Sequence, residues 1–553
     1  MKILWKKYVV SSFVTVLALF AASFMGITPV GAADHGQLVG EAPRRNLPIV
    51  LSREDGLPPA EVRAHALIGD RIFVGGDFDE VQRPDGTIIT QPNIFAYNIN
   101  TGLVDENFRP VVNNAVFALE VNPRGDALYV GGRFTTWDDS FVGRIAKLNA
   151  FGDLDTSFQA TASAGVLGLA VTNEDVYLAG GFFFVGDEFH AGFAAVDANT
   201  GAVDPDFNFN VENSEAEGQL ARGIVVTSDG NSVFGLHFGR NINGNLREAL
   251  VKIDTAGNTA GLADWRVDWS GQTNLGDCLR RLRDIAIAPD DSFIVMGGQG
   301  GDQPPNCDSV LRYPTDGTGV IGFDWSARLY SSLFSLAVSD TAVYVGGHFC
   351  GAPLNGADPV TRQTHERIGD VTANSCDVRN PLDPRNPSVR FPNDAVFRNT
   401  LAALDPSDGR ALDWDPGSNA RLGTFDLTLI DRGLLAGMDN DRYGNFIFTG
   451  RSGFFDFGGF TPKAPAPAPA SGGASCSVSV NADNVPVVSY SGFTNVSVVN
   501  IRRNGGWIRT DAAGTGTYSD TSAVRGVAYS YVVHSRPGGV VNDVACSPAT
   551  ITI

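Results

Sequence analysis

Ile72-Phe73-Val74-Gly75-Gly76-Asp77-Phe78 is followed 56 residues later by Leu128-Tyr129-Val130-Gly131-Gly132-Arg133-Phe134. The same strand returns as Val176-Tyr177-Leu178-Ala179-Gly180-Gly181, Val233-Phe234-Gly235-Leu236-His237-Phe238, Phe293-Ile294-Val295-Met296-Gly297-Gly298 and Val343-Tyr344-Val345-Gly346-Gly347-His348-Phe349. A worn seventh copy reads Leu434-Leu435-Ala436-Gly437-Met438-Asp439. From Gly75 through Gly131, Gly180, Gly235, Gly297 and Gly346 to Gly437 the spacings are 56, 49, 55, 62, 49 and 91. The last is long because residues 350–397 read as an insertion. Another apolar strand precedes each copy, as in Val116-Phe117-Ala118-Leu119-Glu120-Val121. A turn glycine, an Asp and an aromatic follow it, as in Gly102, Asp105 and Phe108, or Gly152, Asp155 and Phe158; later copies use Trp265, Trp325 and Trp414. Four short strands in a unit of about 50 residues, repeated seven times, predict a β-propeller; the repeats of a parallel β-helix are shorter.

The expected fold is therefore all-β: a seven-bladed β-propeller over 44–460, with the insertion 350–397 in blade six, followed by a small β-sandwich. The seventh unit ends at its third strand, and Leu47–Ser52 is expected to supply the fourth and so hide both edges of the ring. Residues 461–475 are rich in Pro, Ala and Gly, which makes a spacer and not a core. Residues 476–553 read as short strands, among them Ser477–Val480, Val485–Tyr490, Val496–Ile501 and Ala528–Val533. Pro486 cannot donate to a ladder, so its strand lies at an edge or begins late. This module resembles a fibronectin type III or immunoglobulin-like sandwich.

The recurring Val-Tyr-Val-Gly-Gly-x-Phe strand, Leu401-Ala402-Ala403-Leu404-Asp405 leading to Trp414-Asp415-Pro416-Gly417, and the segment from Gly437 to Phe455 resemble the delta-60 repeat of secreted bacterial propellers. The resemblance spans about residues 60–457 and departs in repeat four, where Gly235-Leu236 replaces Gly-Gly. It implies a propeller fold and an exported setting, with no established reaction or ligand.

The N-terminus independently indicates export. Lys2, Lys6 and Lys7 precede an apolar run from Tyr8 to Ile27, and Val30-Gly31-Ala32-Ala33 offers a cleavage site, so residues 1–33 read as a signal peptide. A retained anchor is the rival reading, but no basic stop-transfer cluster follows the run. Cleavage takes the net charge from −20 to −23 (−20 − 3), which argues against nucleic acid or an anionic membrane as main partner. Six cysteines in an exported chain suggest disulfides, with 15 possible pairings. Neighbours in sequence give Cys278–Cys307, Cys350–Cys376 and Cys476–Cys546. The last would tie the first strand of the sandwich to its end.

Function is less legible. Residues just after the Gly-Gly are expected to ring one face: Asp77, Arg133, Phe182, His237, Gln299, His348 and Asp439. Their chemistry varies between copies while the glycines mostly do not, which is the mark of a site grafted onto a scaffold. Of these, Asp77, Arg133, His237, Gln299, His348 and Asp439 are the candidate ligand-binding residues. Asp439-Asn440-Asp441-Arg442-Tyr443-Gly444 partly matches a calcium loop, which makes Asp439 and Asp441 candidate metal ligands; it lacks the later Glu, and an Asx turn explains it as well. No other cofactor is implied. No His-Glu-x-x-His, Gly-x-Ser-x-Gly or phosphate-binding Gly-Lys motif is present, although paired carboxylates can meet in space without a sequence signature. The expectation is a non-enzymatic protein, secreted or at the cell surface, that binds a glycan or a surface protein on one propeller face. The alternatives are a carbohydrate-active hydrolase or lyase with acids on that face, and a structural envelope component.

Overall fold

The computed structural model describes residues 37–53, 58–257, 259–269, 275–299, 307–329, 331–349, 351–353, 395–420, 422–444 and 447–457. Beyond these it describes 475–481, 485–493, 498–503, 506–512, 515–520, 523, 528–535, 542–548 and 550–552. The signal segment 1–33, most of the insertion (354–394), the Cys350–Cys376 pair and the linker 461–474 lie outside the described residues.

Among the described residues, seven antiparallel sheets of like build follow one another, and their innermost strands are Glu61–Ile68, Val116–Val121, Val166–Val171, Ala221–Val226, Leu282–Ile287, Ser331–Val338 and Thr424–Ile430. Each innermost strand packs beside the next, and the seventh packs beside the first, so the sheets radiate from a common axis as a β-propeller. The Gly-Gly strand is the second in each sheet, paired antiparallel with the innermost. Close packing requires its glycines. A Cβ on Gly75 would lie 2.5 Å from Val116 Cγ1 of the next sheet, and one on Gly76 would run into the carbonyl oxygen of Glu61. The aromatic landmarks fill the wedges between sheets: Phe108 lies 5.1 Å from Phe73 and 6.4 Å from Trp137 of the next sheet, and Trp265, Trp325 and Trp414 are buried. The recurring Asp residues cap their own turns. Asp105 pairs with Arg71 at 2.6 Å, and its Oδ1 accepts the Asn107 N–H at 3.0 Å.

The ring closes through a different segment from the one expected. Val39 bridges Phe457; the Gly40 N–H donates to Asp456 O at 2.9 Å, and the Arg44 N–H donates to Phe454 O at 2.7 Å. Val39 packs in one cluster with Tyr344, Trp414 and Phe455. Ile49–Val50 instead pairs with Glu80–Gln82, above the first sheet. The propeller thus begins before residue 44. Side chains reinforce the join: the Arg451 guanidinium donates to Ala60 O at 2.9 Å and to Val50 O at 3.0 Å, and Arg44 forks onto Asp456.

The C-terminal module holds one sheet of Ser475–Val480, Pro486–Ser491 and Gly516–Ser519 and another built on Val498–Arg503, about a core that includes Val488, Tyr490, Ile501 and Tyr531. Pro486 is the first residue of its strand, where no ladder donor is lost. The sulfurs of Cys476 and Cys546 are at bonding distance, with Cα atoms 4.4 Å apart. The pair Cys278 and Cys307 likewise spans 5.5 Å between Cα atoms. Among the described residues no helix is long and apolar enough to cross a membrane.

Candidate functional site

Strands alternate in direction within a sheet, so the end of the Gly-Gly strand and the start of the innermost strand lie on one face. Three features of that face come from the same repeat geometry.

The first is a collar. In all seven innermost strands the register slips by one residue opposite the Gly-Gly position: between Val62 and Ala64, Val116 and Ala118, Val166 and Gly168, Ala221 and Gly223, Leu282 and Asp284, Leu333 and Ser335, and Thr424 and Asp426. A β-bulge re-aims the extra side chain. The extra residues are Arg63, Phe117, Leu167, Arg222, Arg283, Phe334 and Phe425; all are half-buried, and all line a central channel of about 1090 Å³. The rings and guanidinium groups interlock. Arg63 lies over Phe425 (4.6 Å) and Phe117 (5.4 Å), Arg283 over Phe334 (5.9 Å), and the exposed Arg133 over Phe117 from outside (5.2 Å).

The second is an acidic layer in the same channel. Asp284 Oδ2 accepts the Leu336 N–H at 2.7 Å, and its Oδ1 accepts the Ile285 N–H at 2.9 Å; burial nevertheless pushes its carboxyl up to about 7. Asp426 meets His65 Nδ1 at 2.6 Å, and His65 Nε2 meets Ser452 Oγ at 2.8 Å. Glu120 is exposed on the channel wall and makes no hydrogen bond to the described residues, and desolvation within the channel, aided by Asp426, pushes it up to about 7. The unfolded chain ionises this group near 4.5, so between the two values the folded protein holds a proton that the unfolded chain has released. The stability due to that proton is complete below the lower value and is lost as pH rises through the upper one. Glu120→Gln is therefore expected to raise the Tm at pH 8 by on the order of 1–2 °C, because channel water screens much of the cost, and to leave it unchanged at pH 4. Thermal melts at the two pH values check this.

The third is a set of hairpins between the second and third strands. The register places Phe141, Phe189, Leu246 and Phe448 at one equivalent position in four of them. Their inward neighbours, Trp137, Val185, Ile242 and Tyr443, are buried, whereas these four remain 71 %, 51 %, 56 % and 37 % exposed. Single exposed apolar residues are ordinary surface, but four at one repeat position are not scatter.

The expected ring of residues after Gly-Gly is only partly on the surface. Asp77 is paired with Arg53, Arg133 is exposed, Gln299 Oε1 accepts from Arg283, and His348 is half-buried. Two members are out of register. The Arg133, Gly181, Phe238 and Gln299 N–H groups all donate to the carbonyl just before the innermost strand, so Gly181 and Phe238 are the true equivalents, not Phe182 and His237. His237 occupies the second-glycine position, where Leu236-His237 replaces Gly-Gly. It is fully buried, its Nδ1 accepts the Gly239 N–H at 3.2 Å, it packs edge-on to Phe193, and burial holds it down to about 3. It is a neutral core residue that does not face a ligand. Asp439 is also buried, and its carboxylate accepts N–H bonds from Leu422 (2.9 Å) and Gly423 (3.1 Å); Asp441 Oδ1 accepts from the Asn419 amide at 2.8 Å. Among the described residues no three His, Cys, Asp or Glu side chains cluster as a metal site.

Periodicity does not mark the collar, because its residues stand inside strands that look apolar. The available signal was a charge within such a strand at a repeated position: Arg63, Arg222 and Arg283.

No model of a known protein family matches the chain, and neither does any curated protein. Solved structures similar to it include the β-propeller domain of Cps50 (Swd1) from Myceliophteria thermophila, at 8 % identity and TM-score 0.30 over 60 % of this chain and 96 % of that one. The Dos1 propeller is similar at 11 % identity and TM-score 0.36 over 74 % and 96 %. A complex of KlAtg21 with the coiled coil of AgAtg16 is similar at 10 % identity and TM-score 0.30 over 55 % and 81 %.

Proposed function

We propose that this is an exported, non-enzymatic binding protein that holds a glycan or a surface protein on the Gly-Gly face of its propeller. The observation that carries the reading is the exposed apolar position shared by Phe141, Phe189, Leu246 and Phe448, around a channel mouth whose collar differs from sheet to sheet. Flat apolar rings suit the faces of sugars and the apolar anchors of proteins alike. The delta-60 likeness and the signal-like N-terminus support an extracellular setting, and the C-terminal module would serve as a spacer or second adhesive unit.

A hydrolase on this face is less well supported. Asp284 and Asp426 are committed to neighbouring sheets, and Glu174 and Asp175 line the channel beyond the end of the third innermost strand, away from the Gly-Gly face, whereas glycoside cleavage uses two carboxyls at one site. The test is retention of the mature protein on insoluble polysaccharides and cell envelopes, with released sugar assayed in the same tubes. Retention without release is expected, with the retained fraction falling about tenfold in the triple variant Phe141→Ser, Phe189→Ser, Phe448→Ser. Release of sugar would overturn the reading in favour of an enzyme. No retention on any support would favour a purely structural component.

A further inference from the structure

Arg63, Arg222 and Arg283 come from the first, fourth and fifth sheets of the ring, so they converge on the channel from opposite sides. They are not equally satisfied. Arg63 is shared with Glu61, its Nε lying 2.8 Å from Oε2. Arg283 donates to Gln299 Oε1 and, at 3.4 Å, to its neighbour Leu282 O. Arg222 donates Nε–H to Arg283 O at 3.3 Å and makes no ion pair among the described residues. The side chain lines the channel, and its terminal N–H groups have no acceptor among the described residues. Burial, with repulsion from Arg283 and Arg63, pulls Arg222 down to about 9, and burial with Arg63 pulls Arg283 down to about 10. A guanidinium does not give up its proton near neutrality. The three cations share one channel and repel one another, and Asp284 offsets only part of the charge on Arg222.

We propose that this arginine cluster is an oxyanion site, which takes a carboxylate, sulfate or phosphate group carried by the ligand of the Gly-Gly face. The inference rests on the binding reading above and specifies its ligand. A guanidinium fork matches the two oxygens of such a group, and the low-dielectric collar strengthens the contact. Phe117, Phe334 and Phe425 share the collar with the arginines and would bracket the ring or chain that bears the anion. Glu120, Asp284 and Asp426 lie in the same channel and repel an anion that goes past the collar. The net charge of −20 repels polyanions at long range, so moderate salt should speed association before high salt weakens the contact.

The test is titration calorimetry on the full-length mature protein. The probes are sodium sulfate, a galacturonic acid oligomer and its uncharged methyl ester, and a sulfated dextran oligomer and its unsulfated parent. The charged oligomers are expected to bind at least about tenfold tighter than their uncharged counterparts. Arg222→Met should remove that preference, while Arg222→Lys keeps part of it. Sulfate alone should raise the Tm of the wild type and not that of Arg222→Met. Arg222→Met removes a repelled charge, so its own Tm should not fall; if it does fall, Arg283→Met gives the same binding comparison. The ratio between the uronate and sulfated arms assigns the source of the anion. Equal binding of charged and uncharged oligomers, unaffected by Arg222→Met, overturns the oxyanion site and leaves the binding propeller standing. Failure of every probe, in a protein that envelopes still retain equally with or without Arg222, also overturns it. Loss of all retention defeats both.

Discussion

A chain that begins at Asn46 is expected to lose on the order of 5 kcal/mol of stability relative to one that begins at Asp34, and to expose the edge of its last sheet. The missing residues carry the closing strand. They supply the Gly40 and Arg44 ladder bonds to Asp456 and Phe454, the Val39 N–H bond to the Tyr344 hydroxyl (3.2 Å), the carbonyl of Gly40 that accepts the Trp414 indole N–H (3.4 Å), and the partly buried Arg44–Asp456 pair. They also bury Val39 between sheets six and seven. Denaturant unfolding of the two chains measures the difference. The truncated chain should also self-associate, because an open strand edge templates pairing with a second copy. Were Leu47–Ser52 the closing strand, the two chains would unfold together.

His65→Ala should cost about 2–4 kcal/mol, because it strips a partner from the buried Ser452 and from Asp426 at once. The arrangement of Ser452, His65 and Asp426 has the hydrogen-bond order of a nucleophile, a base and an orienting acid. Its placement argues against that role: Ser452 is 4 % exposed and His65 2 %, and the three link the innermost strand of sheet one to sheet seven. Ser452→Ala is therefore expected to lower stability by about 1 kcal/mol and to leave retention on supports unchanged. A hydrolytic activity lost in Ser452→Ala at unchanged stability would contradict this assignment.

Periodicity made the propeller legible. The Gly-Gly strand recurs because the space above it is filled by the next sheet, as Gly75 under Val116 shows, and that requirement repeats wherever sheets pack. At two places the short-range pattern is ambiguous. Leu38-Val39 and Leu47–Ser52 are both brief apolar stretches, and only the pocket formed by Tyr344, Trp414 and Phe455 selects the first. In repeat four, Gly235 looks like half of the signature, but the ladder puts Leu236 opposite Gly223, which shifts His237 into the core. The collar was illegible for another reason. A bulge breaks the two-residue alternation of a strand, so Arg222, which reads as an anomaly within Ala221–Val226, takes an orientation that periodicity does not give.

The most direct test of the binding face is hydroxyl-radical footprinting of the protein while it is held on the support that retains it. Both faces carry exposed reporters: Phe141, Phe189 and Phe448 on the Gly-Gly face, and Leu103 and Phe151, 62 % and 78 % exposed, on turns of the other. The account predicts protection of the first group with Leu103 and Phe151 oxidised as in the free protein. Protection of Leu103 and Phe151, with Phe141, Phe189 and Phe448 unchanged, would contradict it.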